Sequence, residues 1–180
     1  MVRLLKLIKK TFTASGTSNT FIFPYSSDQD EKRKQIWENL QKGILLEDKQ
    51  TFIPWGTPYD ELNNFKETRK YRADRTEWHL GKRTILDGYE SHLEITRWHW
   101  KTTEIVTKFD ENLGVDEEGQ AKFNYLIDYI TDLLGEPAQT EIKKFGLLNI
   151  GEVRWSNAAV SIHLIGLEHV TCRYSLHISV

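Results

Sequence analysis

The chain has 180 residues, of which 39% are hydrophobic and 28% charged, and its formal net charge is −2. A chain of this length and composition is expected to fold as one domain around a hydrophobic core. The near-neutral charge excludes a global positive field that would attract nucleic acid or an anionic membrane. The single cysteine, Cys172, excludes an internal disulfide and a metal site of several thiolates, and it is compatible with a cytoplasmic protein.

The apolar runs of the chain are too short to span a membrane, and residues 1–12 carry too many lysines for a signal peptide. This N-terminal segment is predicted to form a short basic helix, a strand or a frayed tail. Residues 13–20, TASGTSNT, have the composition of a polar linker, and a short strand is predicted at residues 20–23. We therefore expect no membrane partner.

Helical periodicity is clearest in residues 117–134, EEGQAKFNYLIDYITDLL. Apolar residues recur there at spacings of three and four, which places them in one stripe along a helix. Acidic residues begin the segment and Gly135 follows it, as is typical of helix ends. A stripe of this width has to be covered, so this helix is predicted to lie at the centre of the fold against a sheet.

Two shorter helices are predicted before the central one. The first spans residues 29–42, with its N-cap among residues 26–28. The second spans about residues 58–65, where Thr57 would be the N-cap and Pro58 the first helical residue.

The remaining apolar segments are short, are bounded by turn residues and predict strands. They span residues 44–46, 51–53, 70–75, 76–80, 83–86, 89–100, 104–109, 142–148, 152–155, 159–165 and 170–180. Gly81 and the pair Asp87-Gly88 are predicted to be turns. Runs of strands after single helices are typical of an α+β fold, here a single domain over residues 1–180 with a mostly antiparallel sheet of about seven to ten strands and about three helices packed on it.

The order of the predicted elements also indicates an alternative organisation within this fold class. A helix near residue 57 is followed by about four strands, and the helix at residue 117 is followed by four more. This order fits two similar helix-plus-meander halves, about 51–112 and 113–180. The residues themselves show no internal repeat, so these halves rest on the architecture alone.

The last two strands have the most regular alternation of apolar and polar residues. A loop at residues 167–169 would keep both apolar sets on one buried face. The resulting register pairs Ile162 with Tyr174, Val160 with Leu176, His163 with Arg173 and His177 with Ala159.

Residues 93–100, LEITRWHW, do not follow the alternation of a single half-buried strand. Leu93 and Ile95 define one face, whereas Trp98 and Trp100 fall on the other. Either a bulge in the middle of the segment changes the phase, or the tryptophans lie on the outer face. There the first helix would cover them, or they would be exposed as anchors for a protein partner. We expect Trp98 to be structural and Trp100 to be exposed.

Sequence motifs for catalysis are not found in the chain. It contains no GxSxG, glycine-rich phosphate loop, GxGxxG or HExxH pattern. Its six histidines have no spacing typical of metal ligands, and Cys172 alternates onto an apolar face. We therefore expect no catalytic residue, metal site or cofactor, and a non-catalytic protein rather than an enzyme. The alternative is a small hydrolase or ligand-binding enzyme whose pocket collects histidines and tryptophans from distant parts of the chain.

Charge is distributed unevenly in two segments. Residues 66–83 contain seven basic residues against three acids, with Tyr71 and Trp78 between them, which is one pattern of nucleic-acid binders. The same pattern is typical of a solvated edge strand protected by charge, and the slightly acidic chain favours that interpretation. Residues 104–118 contain six acids against Lys108 alone. We call residues 104–118 the acidic segment.

Three short motifs follow one another from about residue 50 onward. They are WGTP at 55–58 with Glu61-Leu62, LGEP at 134–137, and Trp155 followed by Val160, Ile162 and Leu164. This layout resembles one seen in small uncharacterised bacterial α+β proteins, some of which are encoded in polymorphic toxin–immunity clusters. The resemblance implies a protein that binds and neutralises a partner toxin and has no catalytic residues.

The expected function is therefore that of a non-catalytic binding protein of the immunity kind, acting on a protein partner. An acidic patch would suit a basic toxin such as a nuclease, by steering its approach and by occupying its substrate channel. Nucleic acid is the less favoured partner, and the sequence leaves the oligomeric state open. The expected binding residues are Trp98, Trp100, Glu104, Asp110, Glu111 and Asp116.

Overall fold

A computed structural model of the chain describes residues 9–14, 17–98, 103–108, 117–145, 148–167 and 173–180. The helices within these residues are α1 (Gln29–Leu40), α2 (Tyr59–Leu62) and α3 (Glu117–Leu134). The strands within them are β1 (Lys9–Ala14), β2 (Thr17–Ile22), β3 (Gly43–Leu46), β4 (Thr51–Pro54), β5 (Thr68–Tyr71), β6 (Arg75–Ile85), β7 (Tyr89–Trp98), β8 (Thr103–Lys108), β9 (Gln139–Phe145), β10 (Leu148–Asn157), β11 (Val160–Leu167) and β12 (Arg173–Ser179). Helices packed on antiparallel sheets confirm the predicted α+β fold class.

Eight of the described strands form one antiparallel sheet in the order β5-β6-β7-β8-β12-β11-β10-β9. It consists of two four-stranded meanders, β5–β8 and β9–β12, whose last strands pair with each other. A helix precedes each meander in the chain, α2 before the first and α3 before the second. Among the other described strands, β1 pairs with β2 and β3 pairs with β4.

The two meanders contribute matching residues to the core. Trp78 in β6 lies opposite Ile95 in β7, and Trp155 in β10 lies opposite Ile162 in β11. Through the last strands of the meanders, the row reads Trp78, Ile95, Ile105, Ile178, Ile162 and Trp155. The row is palindromic, and its two tryptophans are only 0% and 1% exposed. Sequence inspection misses this match because the hairpin between Trp78 and Ile95 is longer than the one between Trp155 and Ile162.

Helices α1 and α3 enclose the core on one face of the sheet. Their core side chains are Ile36, Trp37, Leu40, Phe123, Leu126, Ile130, Leu133 and Leu134. Trp37 Nε1 donates to the carbonyl of Leu134 at 3.1 Å, which links α1 to the end of α3. Gly135 follows with a φ of +95°, the left-handed conformation predicted for the residue that ends this helix. No helix of the described residues combines the length and the apolarity needed to cross a membrane.

Two predicted connections belong to strands instead. Residues 13–20, expected to be a linker, lie largely in the β1–β2 hairpin, where Thr11 is opposite Thr20. Gly81, expected to be a turn, lies inside β6, where the pairing with β7 shifts between His79 and Gly81. Gly81 has a φ of +72°, and glycine adopts a positive φ in β-bulges as well as in tight turns. The glycine alone therefore could not distinguish a bulge from a turn.

The helix caps agree with prediction at α1 and differ at α2. Asp28 caps α1 by accepting a hydrogen bond from Glu31 N at 2.9 Å. Thr57 does not cap α2, because its hydroxyl donates to the carbonyl of Pro54 at 2.6 Å. Pro58 is in the cap position instead, and α2 has no side-chain cap.

The register of the final hairpin differs from the predicted one by four residues. Ile162 pairs with Ile178 rather than Tyr174, and His163 lies opposite His177 rather than Arg173. The buried face is unchanged because a shift by an even number keeps each side chain on its side of the sheet. Pairing extends to Leu167 and Arg173, so the connection is longer than expected.

Candidate functional site

The face of the sheet opposite to α1 and α3 carries polar side chains in register. In one row they are His79, Glu94, His177, His163 and Arg154, and Val106 of β8 lies between Glu94 and His177 in that row. In the neighbouring row they are Glu77, Thr96, Ser179, Ser161 and Ser156. We call the surface formed by these side chains the polar face.

Burial differs between the two halves of the polar face. In the first meander Glu77, Glu94 and Thr96 are buried, with exposed fractions of 3%, 4% and 4%. In the second meander His163 and His177 are half-buried. Burying a carboxylate is costly unless hydrogen bonds and opposite charges compensate it, so the first half has to contain such partners.

Those partners centre on His79, whose ring lies between the two buried carboxylates. Its Nδ1 is 3.3 Å from Glu94 Oε2, and its Nε2 is 4.0 Å from Glu77 Oε2. One ligand atom from each of the three side chains lies within 4.8 Å of the other two. We call these three residues the Glu–His–Glu cluster.

The second oxygen of each carboxylate in the cluster is held by a neighbouring donor. Arg75 Nε donates to Glu77 Oε1 at 2.7 Å, and this hydrogen bond raises the pKa of Arg75. Thr96 Oγ1 donates to Glu94 Oε1 at 3.1 Å. Each glutamate therefore uses one oxygen for a supporting contact and directs the other towards His79.

The second meander has a different arrangement at the centre of the polar face. The new register brings His163 directly opposite His177. Ser175 Oγ and His177 Nε2 are 2.9 Å apart, and the tautomer of the ring decides which of them donates. The predicted register had separated His163 from His177, whereas the observed register places His163 beside the Ser175–His177 contact.

Of the six predicted binding residues, the structure describes the backbone of two. Trp98 ends β7 opposite Arg75, and Glu104 lies in β8 between Thr96 and Ser179. The other four lie outside the described residues, namely Trp100, Asp110, Glu111 and Asp116.

Strand pairing bears on the two explanations offered for the tryptophans only at Trp98, because Trp100 lies outside the described residues. Pairing of β7 with β8 runs without a shift from His92 to Arg97, so there is no bulge against β8 in that segment. Helix α1 belongs to the core that contains Leu93 and Ile95, which is not the face that alternation predicts for the tryptophans.

The basic residues of segment 66–83 are largely paired with acids. The ion pairs are Arg72 and Arg75 with Glu77, Lys82 with Glu90, and Arg83 with Glu67. Arg69 lies 4.5 Å from the ring centre of the exposed Tyr71 on β5, an edge strand of the sheet. This pairing favours the interpretation of a charged edge over that of a nucleic-acid groove.

A groove of about 300 Å³ beside α1 contains no histidine. Its lining residues are Asp30, Arg33, Lys34, Trp37, Glu38, Gln41 and Asn157. It is therefore not the histidine-lined pocket that the enzyme alternative requires.

A further buried carboxylate, Glu47, has a structural role in the first meander. It accepts hydrogen bonds from the backbone N–H groups of Asp87 and Gly88, at 2.7 and 2.8 Å, in the turn between β6 and β7. Tyr129 of α3 donates to the carbonyl of Leu86 in the same turn at 2.6 Å. Burial raises the pKa of Glu47, and these backbone hydrogen bonds oppose that shift.

Sequence reasoning did not identify the Glu–His–Glu cluster. The signal in the sequence is the spacing of Glu77 and His79, which places both on one face of a strand. Glu94 joins them only through the register of β6 with β7, and that register depends on the bulge at Gly81.

No protein family, curated protein or solved structure was found to match the chain. The likeness of its motifs to proteins of toxin–immunity clusters therefore remains an expectation from the sequence. The function has to be argued from the geometry of the chain itself.

Proposed function

We propose that the protein is a non-catalytic binding protein that recognises a basic protein partner through the polar face. The observation that supports this proposal most is that helices cover one side of the sheet, whereas the other side carries polar groups and is not covered by a described helix. Helices α1 and α3 cover the apolar side. The other side carries hydroxyl, imidazole and guanidinium groups in the second meander and buried carboxylates in the first, with Val106 of β8 between them in one row.

The dimensions of the polar face suit a protein better than a small molecule. The six strands from β6 to β10 in sheet order, spaced by about 4.8 Å, make this face about 24 Å wide. A stable protein–protein interface buries about 800 Å² on each partner, a patch of comparable width. A small ligand is instead usually enclosed in a deep pocket.

A basic partner is favoured by the composition of the acidic segment. Strand β8 lies at the centre of the sheet and contains the first acid of that segment, Glu104, between Thr96 and Ser179. The chain continues from β8 through Asp110, Glu111 and Asp116 to the start of α3. Acidic residues concentrated in one segment of a binding protein accelerate its association with a positively charged partner and select against acidic ones.

A hydrolase is the second candidate, because Ser175 Oγ contacts His177 Nε2 at 2.9 Å. A serine nucleophile also needs free N–H donors for the oxyanion that develops during acyl transfer. Ser175 lies in a central strand between Lys108 and Ile165, where the sheet ladders on both sides use the backbone donors. This position favours binding over catalysis.

The proposal is tested with two variants of equal charge change. Ser161 and Ser179 lie opposite each other on the polar face, so S161R combined with S179R places two cations at its centre. The control combines Gln41→Arg with Asn64→Arg, two exposed positions after α1 and α2. Affinity capture from the native host identifies the partner, and calorimetry with the purified partner then measures each Kd.

We expect a basic partner with a submicromolar Kd, about 100-fold weaker binding for the polar-face variant and an unchanged Kd for the control. Thermal melts establish that both variants are folded. Equal affinity of the two variants would show that the partner binds elsewhere. Labelling of Ser175 by a fluorophosphonate probe would favour the hydrolase instead.

A further inference from the structure

We propose that the Glu–His–Glu cluster binds a divalent first-row transition cation such as Zn²⁺. This inference concerns Glu77, His79 and Glu94 alone and does not depend on the protein partner proposed above. Two carboxylates and one imidazole are ligands that Zn²⁺ accepts in sites with three protein ligands and a water molecule. Ca²⁺ and Mg²⁺ prefer all-oxygen sites with more ligands, so the imidazole selects against them.

The distances in the cluster are close to those that a bound cation requires. Metal bonds of about 2.0–2.2 Å at tetrahedral angles place neighbouring ligand atoms about 3.3–3.6 Å apart. His79 Nδ1 lies 3.3 Å from Glu94 Oε2, within that range, and one ligand atom from each of the three residues lies within 4.8 Å of the other two. The ring can give only one nitrogen to a single cation, so Glu77, whose Oε2 lies 4.0 Å from His79 Nε2, would have to rotate towards the Nδ1 side to complete the site.

The groups around the cluster orient its ligands as the outer groups of a metal site do. Arg75 holds the far oxygen of Glu77, and Thr96 holds the far oxygen of Glu94. Such outer contacts fix the rotamers of metal ligands, and removing one typically weakens metal binding by about 10- to 100-fold. The near oxygens thereby face the His79 ring, that of Glu94 at Nδ1 and that of Glu77 at Nε2.

Exposure of the three ligands differs in a way that gives a cation access. The side chains of Glu77 and Glu94 are only 4% and 6% exposed, whereas that of His79 is 25% exposed. The imidazole therefore lies at the entrance, with the carboxylates beneath it. The two buried carboxylates attract a divalent cation, which neutralises their charge.

The backbone geometry that assembles the cluster is specific to the first meander. The bulge lies between His79 and Gly81, next to the pairing of His79 with Glu94. In the second meander the residues that flank the core tryptophan are Arg154 and Ser156, and the residue before Ile162 is Ser161. These side chains do not form a set of metal ligands, so they provide an internal reference for the proposal.

The test uses the purified full chain after removal of metals with a chelator. Zn²⁺ is titrated by calorimetry, and Co²⁺ is titrated separately because its visible absorption reports the ligands directly. The ligand variants are His79→Gln and Glu94→Gln, and the outer-contact variant is Thr96→Val. The control is His92→Gln, an exposed histidine in β7 next to Leu93. Circular dichroism and urea unfolding show whether each variant is folded.

We expect one cation per chain at micromolar concentration or below. Binding should weaken by about 100-fold in His79→Gln and Glu94→Gln and by about 10-fold in Thr96→Val, and it should be unchanged in His92→Gln. The Co²⁺ absorption should disappear with His79. The absence of stoichiometric binding to the wild-type chain would overturn the proposal and identify the cluster as a buried ion network. Unchanged Zn²⁺ binding in a folded His79→Gln variant would also overturn it.

Discussion

The two meanders present equivalent residues to the core and different residues to the polar face. Each contributes a buried tryptophan from its second strand and an isoleucine from its third. On the polar face, the residue before the tryptophan is Glu77 in one meander and Arg154 in the other. The residue before the isoleucine is Glu94 in the first and Ser161 in the second.

This difference separates the requirements of folding from those of recognition. The apolar sides of both meanders meet one continuous core that includes α1 and α3, so substitutions there are constrained by packing. The polar sides are not covered by a described helix, and those of the two meanders differ in charge, burial and hydrogen bonding. Functional groups are expected where two architecturally equivalent surfaces differ most.

The largest effect is expected from truncating the matching tryptophans. Trp78→Ala and Trp155→Ala should each reduce the free energy of unfolding by about 3–5 kcal/mol, because both side chains are fully enclosed. The Trp78→Ala substitution should reduce the free energy of unfolding slightly more than Trp155→Ala, since Trp78 Nε1 also donates to Asn63 Oδ1 at 3.3 Å. Urea unfolding of both variants measures the difference. A loss for only one of them would show that the halves do not share a common core.

A smaller effect is expected at the polar-face position before the isoleucine. In metal-free protein, Glu94→Gln should reduce the free energy of unfolding by about 1–3 kcal/mol. The carboxylate of Glu94 accepts from Thr96 with one oxygen and faces His79 with the other, whereas an amide has only one oxygen for these two contacts. The matched substitution Ser161→Ala should stay within about 0.5 kcal/mol. Chemical denaturation at constant pH compares them, and equal losses would contradict the assignment of the buried charge network to one meander.

The turns of the two meanders should differ in their response to pH. Glu47 accepts hydrogen bonds from the backbone of the β6–β7 turn, whereas the β10–β11 turn at Ala158-Ala159 is exposed. Burial raises the pKa of Glu47 above the ordinary value of 4.5, so the folded state binds a proton that the unfolded state has released. The free energy of unfolding should therefore fall as pH rises through the window between the two values, by at most about 1.4 kcal/mol per pH unit.

Glu47→Gln should remove this dependence. Urea unfolding of the wild type and the variant from pH 4 to about pH 7 measures it, since only the difference between the two curves reports Glu47. Parallel curves would show that the carboxyl group has the same proton affinity in both states. Ala159→Ser in the opposite turn is the matched control and should change neither curve.

The smallest effects are expected at the two edges of the sheet. Tyr71 in β5 and Ile142 in β9 are 66% and 36% exposed, and neither belongs to the core. Tyr71→Ser and Ile142→Ser should each change the free energy of unfolding by less than about 0.5 kcal/mol. A larger loss at either edge, measured by thermal melting, would indicate that another surface covers that edge.

The elements with strong local signals could be predicted from the sequence. The apolar stripe and the terminal glycine gave α3 its correct limits, Glu117–Leu134, and Asp28 indicated the start of α1. The register of β11 with β12 could not be obtained in the same way, because alternation is satisfied equally by any even shift.

The candidate site depends on the information that local patterns lack. Placing Glu94 beside His79 requires the length of the β6–β7 hairpin, the position of the bulge at Gly81 and the pairing of the two strands. Each of these is a long-range property, decided by packing against the core. The predicted binding residues were chosen instead by composition along the chain, and only Trp98 and Glu104 fall within the described strands.

The position of β12 has a consequence for how the chain acquires its structure during synthesis. This strand follows all the others of the sheet along the chain, yet it lies in the middle, between β8 and β11. Until the ribosome has released it, the first meander has an unpaired edge at β8, and such edges are sites of incorrect association. Completion of the sheet is therefore a late, non-local step, and the nascent chain benefits from protection of that edge until β12 is inserted.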